Sequence, residues 1–383
     1  MPLATKGSER TLIIRSAERN AGWPRASART GGGSTGATST CVPRRSRLEI
    51  GVERVTFRRV ESFAFSQCTC VLFERVPALS DVERAFERWT VAGKSKASEG
   101  DDGWAVSGPG LILALPDGSF ALVDLVGRAW PDDPAVAAVA AAPGLAAAFR
   151  AGMFGPGTTP GALKRATEQS WAWPGGAAAA RGHGGFVRLR MGYGRPQGAP
   201  ADYHGGQDPV YELALLTEIS RSIVGMRGAL GFFAPAGEAL RSREQVEAAM
   251  SRKAGRDPPP IEMWSNLRAV ALLQEEGERW LLLDVVGMGQ LGLPDHEAIF
   301  AEGKEQPDAV QGLLRNACMH VLSGRPIPPG STSDDGAGRR WTASFGTGVV
   351  APRRDVVRWL PEQGPRPSDG VLQKLTANVA PRP

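Results

Sequence analysis

Arg181-Gly182-His183 is the segment of this sequence best equipped for chemistry. An imidazole titrates near neutrality and can act as acid, base or ligand, and a neighbouring guanidinium can hold an anion. If folding brought Glu297 or Asp295 within hydrogen-bond reach, His183 and Arg181 would form a hydrolase-like or ligand-processing site. The same residues also have a structural use. Arg181 and His183 can bond loop carbonyls and pin the upstream pair Trp171 and Trp173 onto a sheet, closing a core with a polar clamp. The sequence favours this second use.

Other motifs carry less. Gly287-Met288-Gly289-Gln290-Leu291-Gly292 fits G-x-G-x-x-G and follows an apolar strand, the setting of a dinucleotide site. Pro294 follows closely, however, and the next long segment is a helix from Pro307, so no strand-helix-strand unit forms. A glycine-rich strand exit is the better account. Gly155 to Lys164 has the wrong spacing for a phosphate loop, with Ala162 and Leu163 between Gly161 and the lysine. His183, His204, His296 and His320 share no metal-ligand spacing, and Asp295-His296-Glu297 lacks the second histidine of a zincin helix. Gly-x-Ser-x-Gly is absent. Neither a metal nor a cofactor is expected. Cys68 and Cys70, two apart, read as small apolar side chains on one face of a buried strand, and Cys318 as a core residue of a helix.

The charge balance narrows the partners. Of 45 Lys and Arg, twelve lie in residues 1–59 against four Glu, a net of +8, so the remaining chain is slightly acidic. Phosphate recognition needs clustered cations, and the body lacks that surplus; no nucleic acid is expected. The longest apolar run, Val136 to Phe149, is interrupted by Pro143-Gly144 and falls short of the ~20 residues of a membrane span. Four cysteines are too few for a disulfide framework. A reduced, cytoplasmic protein is the expectation, with a protein as its partner.

Residues 1–59 are Arg-rich, acid-poor and of low complexity, and three readings stay open: a disordered tail, a targeting peptide, or a misassigned start. A first βαβββ module is expected over 60–150. It comprises the strand at Cys70–Phe73, a helix from Asp81 to Trp89 with a Ser80/Glu83 capping box, and strands at Trp104–Val106, Leu111–Leu115 and Phe120–Leu125. Pro116-Asp117-Gly118 marks a hairpin turn. A second module spans 151–365. Its strands are Phe186–Met191, Ala229–Phe233, Leu267–Gln274 and Trp280–Val286, and its helices are Pro209–Val224, Ser242–Lys253 and one from Pro307. Further short strands are expected at Trp341–Phe345 and Val356–Leu360. Residues 366–383 read as a tail. Hairpin-linked strands without strict alternation predict an α+β fold: two α/β sandwich-like modules with largely antiparallel sheets and helices packed on one face. The two modules start alike, yet no internal sequence repeat stands out.

From about Cys70 to Pro361 the chain resembles a bacterial family catalogued as domain of unknown function 4261. The resemblance rests on Trp171-x-Trp173, Arg181-Gly182-His183, Gly228-Ala229-Leu230-Gly231-Phe232 and Met263-Trp264. It continues through Gly-Met-Gly-x-Leu-Gly-Leu-Pro-x-x-Glu ending at Glu297, then the helix at Pro307–Leu322 and Ile327-Pro328-Pro329-Gly330. That family carries no established substrate, cofactor or catalytic residue, so the resemblance implies no activity. The expectation is a non-catalytic binding or scaffolding module.

Overall fold

The structure, a computed structural model, describes residues 65–96, 104, 106–132, 143–193, 208–252, 257–275 and 277–377. Residues 1–59, and the three readings of them, lie outside the described residues.

β1 (Gln67–Phe73) is buried along its whole length, as its apolar run predicts. α1 (Leu79–Ala85) has Ala78 as N-cap and no side-chain cap. The expected Ser80/Glu83 box does not form, because the helix starts two residues earlier and Ser80 is already inside its first turn. Glu83 pairs instead with Lys94, 2.7 Å away on β2 (Thr90–Ser95). The sequence reading missed β2, an edge strand with too few apolar residues to show a period. β3 (Gly110–Ala114) and β4 (Ser119–Val126) form the hairpin expected around Gly118. Next come α2 (Pro143–Arg150), α3 (Ala162–Glu168) and α4 (Gly176–Gly182), the last replacing an expected loop.

β5 (Gly185–Tyr193) leads to α5 (Pro209–Val224), which opens as predicted with Pro209 at its first position. Asp208 caps it, accepting from the Val210 and Tyr211 amides. β6 (Ala229–Ala234) and β7 (Ala239–Arg241) precede α6 (Arg243–Met250), where Ser242 and Gln245 do form a capping box. α7 (Ile261–Trp264), β8 (Asn266–Glu275) and β9 (Glu278–Val286) follow. β10 (Asp295–Ala301) was hidden in the sequence because its fully buried run opens with Asp-His-Glu. The chain ends with α8 (Pro307–Leu322), β11 (Thr332–Asp334), β12 (Arg340–Thr347), β13 (Asp355–Pro361) and α9 (Asp369–Ala377). α9 occupies the expected tail and buries Val371 and Leu375, a contribution of roughly 1.5–3 kcal/mol for each side chain fully buried.

The strands form two sheets, ordered β2-β3-β4-β5-β1-β6-β7 and β11-β12-β13-β10-β9-β8. Every pairing is antiparallel except β10 with β13, so the fold is α+β with two largely antiparallel sheets. β5, beyond residue 150, lies between β1 and β4, so the first sheet draws strands from both sides of that position. All described residues belong to one compact unit. One face of each sheet enters a common core: Val71, Phe73, Val187 and Leu189 from the first, Leu281, Leu283, Ala298 and Phe300 from the second, with the apolar stripes of α5 and α8. The opposite face of the first sheet packs on α2, α3 and α4. The opposite face of the second packs on α9.

Superposed on this plan is a repeat too short to notice in the bare sequence. Ala121-Leu-Val-Asp-Leu-Val-Gly127 in β4 matches Leu281-Leu-Leu-Asp-Val-Val-Gly287 in β9. Each is the second strand of a hairpin whose turn glycine, Gly118 or Gly277, has φ of 80°. Each leads to a Pro-Asp pair, Pro131-Asp132 or Pro294-Asp295. In each the central aspartate faces an arginine directly across the ladder, Asp124↔Arg188 and Asp284↔Arg268.

Candidate functional site

The second sheet carries a line of charge. In register across four strands stand Arg268 on β8, Asp284 on β9, Glu297 on β10 and Arg358 on β13. Residues laterally aligned in a sheet project from the same face, and all four are buried. Arg268 grips Asp284 with two bonds, Nε to Oδ1 at 2.9 Å and Nη2 to Oδ2 at 2.6 Å. Arg358 Nε donates to Glu297 Oε1 at 2.6 Å. Arg354, just before β13, joins the line by bonding Asp284 Oδ2 and lying 2.7 Å from Asp295 Oδ2.

The line extends towards the first sheet through Glu238. This residue sits between β6 and β7 with φ of 51°, a left-handed conformation costly for a residue with a side chain. Arg165 Nε (2.7 Å) and Arg268 Nη1 (3.0 Å) donate to its two carboxylate oxygens and hold it there. Burial pushes the Asp284 carboxyl up, but Arg268 and Arg354 together outweigh it and hold the group below the ordinary aspartate range. For Asp295 and Glu297 burial wins over Arg354 and Arg358, and both carboxyls are raised.

These arginines use their remaining donors on the loop between β12 and β13. Arg268 Nη1 donates to the Ala351 carbonyl (2.7 Å), Arg354 Nη1 to Val350 and Pro352 (3.0 Å each), and Arg358 Nη2 to Thr347 (2.7 Å). The Val349 N–H donates to Glu297 Oε2 at 3.2 Å. The ionic line therefore fixes the path of a loop whose ends, Thr347 and Pro352, wall a groove of about 1250 Å³.

That groove lies at one end of the second sheet. It is walled by residues between Val286 and Asp295, by Val321 at the end of α8 and Gly324 to Pro328 after it, and by Phe345 to Thr347 and Arg354 to Val357. Glycine, proline and valine supply most of the lining, with Phe345 standing 56% exposed on its bank. Gly287-Met288-Gly289-Gln290-Leu291-Gly292 forms its floor as a single short turn between antiparallel strands. The two amides that a phosphate would seek there are occupied: Asp295 Oδ1 accepts from Gly287 N–H (3.0 Å) and Met288 N–H (2.7 Å). Gly287 serves packing, since a Cβ would lie 2.6 Å from the Trp264 carbonyl oxygen and 2.7 Å from Gly237 Cα.

The residues singled out in the sequence do not gather in this groove. Arg181 is exposed in the last turn of α4, and His183 is that helix's C-cap. His183 Nε2 accepts from the Trp130 N–H at 2.9 Å while Nδ1 bonds the Ala180 carbonyl, so both ring nitrogens are engaged. The tryptophan so anchored is Trp130, packed edge-on against Phe233 and Phe154, rather than Trp171 or Trp173. Trp173 lies against Gly231, where a Cβ would come within 2.6 Å of its ring. Glu297 is on β10 with Arg358 as its partner, and it shares no partner with His183. His296 points to the other face, where Trp359 Nε1 donates to its Nδ1 at 3.3 Å and burial lowers its pKa to about 4. Cys68, Cys70 and Cys318 are free and buried, the first two in the same core cluster. Among the described residues no three His, Cys, Asp or Glu side chains gather as a metal site, and no helix is long and apolar enough to cross a membrane.

The sequence reading passed over Arg268, Asp284, Arg354 and Glu238. Their only local signal was a charged residue inside an otherwise apolar strand pattern, as at Asp284. No family model, no curated protein and no solved structure matches this chain.

Proposed function

We propose that this chain is a non-catalytic binding protein and that the groove at the end of the second sheet holds a segment of its protein partner. One observation carries the reading: the buried groups Arg268, Asp284, Arg354 and Asp295 are engaged with one another and with loop carbonyls, so they set the shape of a mostly apolar groove. A preformed apolar concavity with a few fixed polar groups is the usual form of a binding site, and rigidity lowers the ordering cost of association.

The order of motifs from Trp171 to Gly330 supports membership of the family named above. Buried free thiols support a reducing compartment, the cytoplasm. The test of the groove is Gly289→Trp. Gly289 lines the groove, is exposed, and has open space where a Cβ would grow. The variant is expected to keep the wild-type melting temperature and to lose binding of any peptide or protein found by titration against the wild type. Undiminished binding would remove the groove from consideration.

A further inference from the structure

The ladder between β11 and β12 runs from Asp334↔Arg340 to Thr332↔Thr342. Two more bonds prolong it: the Ala343 N–H donates to the Ser331 carbonyl and the Gly330 N–H to the Ala343 carbonyl, each at 2.8 Å. There it stops. The next residues upstream of Gly330 are Pro329 and Pro328, with Pro326 just beyond Ile327, and a proline has no N–H to offer a ladder. β12 continues to Thr347, still paired on its other side with β13. Along an antiparallel strand, alternate residues direct their N–H and C=O to the same neighbour. Ala343 directs its pair towards β11, so Phe345 directs its pair the same way, and no described strand meets it. The groove is the gap between this open edge and the proline-rich segment that peels away from it, since Phe345, Gly346 and Thr347 form one bank and Pro326 to Pro328 the other.

We infer that the groove accepts an extended peptide segment of a partner protein, added as a strand to the open edge of β12 at Phe345. The inference rests on the binding reading above and names the ligand's class. The edge presents one donor and one acceptor that only an extended backbone answers together. The apolar walls take side chains from one face of such a strand. Charge sets its direction: Arg325 and Asp355 both line the groove, both are exposed, and neither has an ion-pair partner among the described residues. Arg325 uses its Nε on Ser323 Oγ at 2.9 Å. The complementary segment carries a carboxylate towards Arg325 and a basic group towards Asp355. A small apolar molecule would fill the walls and leave the edge and both charges unanswered.

The test begins with a random dodecapeptide library displayed on phage and selected against the full-length chain. The strongest clone is resynthesised with a fluorophore for anisotropy titration. Phe345→Pro deletes the outward N–H together with the exposed ring and leaves the β13 ladder intact, as proline is tolerated on an open strand edge. It is expected to weaken binding by about tenfold or more, the scale of a lost hydrogen bond with lost ring packing. Methylating single peptide amides, which leaves the protein untouched, is expected to weaken binding at alternate positions. Arg325→Glu is expected to weaken it, with recovery when the peptide's acidic residue becomes lysine. Binding that is lost in Gly289→Trp but indifferent to Phe345→Pro and to amide methylation overturns strand addition and leaves the groove reading standing. Binding indifferent to Gly289→Trp as well overturns both. Selection that yields no binding clone also overturns the peptide inference.

Discussion

Asp284→Asn strikes the ionic line at its centre. The carboxylate accepts three bonds, from Arg268 Nε at 2.9 Å, Arg268 Nη2 at 2.6 Å and Arg354 Nη2. Asparagine keeps one acceptor oxygen and turns the other position into a donor facing two guanidinium groups. The two bonds to Oδ2 are lost, each charge-assisted bond being worth roughly 1.5–3 kcal/mol. Two buried cations then lose their shared counter-charge, leaving Arg268 with Glu238 and Arg354 with Asp295, and breaking a buried ion pair from one side typically costs about 3–5 kcal/mol. The expected loss is therefore on the order of 4 kcal/mol, a large share of the roughly 5–15 kcal/mol that holds a typical domain. Urea unfolding is the suitable assay because it leaves ionic strength unchanged, and the buried Trp280, Trp341 and Trp359 of the second sheet report on the region by fluorescence. The pH dependence adds a second reading. Asp284 has a folded pKa below its unfolded value, so its contribution is present above the unfolded value near 4 and is lost as pH falls through the folded one. The gap between wild type and variant is expected to be full at pH 7 and to close in acid below about pH 4. Asp295→Asn supplies the contrast. Its carboxyl is raised, and an amide oxygen can still accept from Gly287 and Met288, so its cost is smaller. A loss under about 1 kcal/mol for Asp284→Asn at pH 7, or one equal to that of Asp295→Asn, would refute the argument that this line fixes the loop and the groove.

Two further outcomes follow from groups outside the groove. Burial raises the pKa of Asp132, which accepts from the Leu163 amide at the start of α3, to about 6. Its folded value exceeds its unfolded one, so its contribution to stability is complete below about pH 4 and is lost as pH rises to about 6. Asp132→Asn keeps the acceptor and is expected to flatten the fall in melting temperature between those two pH values; an unchanged slope would exclude Asp132 as its source. His183→Ala removes the link between the Trp130 amide and the Ala180 carbonyl and should cost about 1–3 kcal/mol. Exposed Arg181→Ala should stay within about 0.5 kcal/mol. Parallel thermal melts decide this, and the reverse ranking would return Arg181 to the structural role first read from the sequence.

Local patterns in the chain were enough to locate most elements. β1, β5 and β9 declared themselves as apolar runs, α5 and α8 by helical period with proline at the first turn, and the β3–β4 hairpin by Gly118. Each of these signals is complete within a few residues, because it concerns how one segment pairs its own backbone and which face it buries. Among the elements that escaped were β2 at an edge, β10 behind Asp-His-Glu, α4, a run of alanines ending in the Arg-Gly-His triplet, the short β7, α7 and β11, and α9 in the expected tail. The repeat around Asp124 and Asp284 was present in the sequence, yet only the matching hairpins and the matching arginines across the ladder give seven residues that meaning.

The groove and its ionic wall were a matter for the tertiary structure. Arg268 meets the Ala351 carbonyl across 83 positions of sequence, Arg354 meets Asp284 across 70, and the Val349 amide meets Glu297 across 52. Such contacts depend on which strands become neighbours and in what register, and a local pattern carries neither. The sequence by itself determined that Pro326, Pro328 and Pro329 could not complete a ladder. Only the folded chain set Phe345 opposite them, because a strand edge is open or closed according to what the rest of the molecule brings beside it.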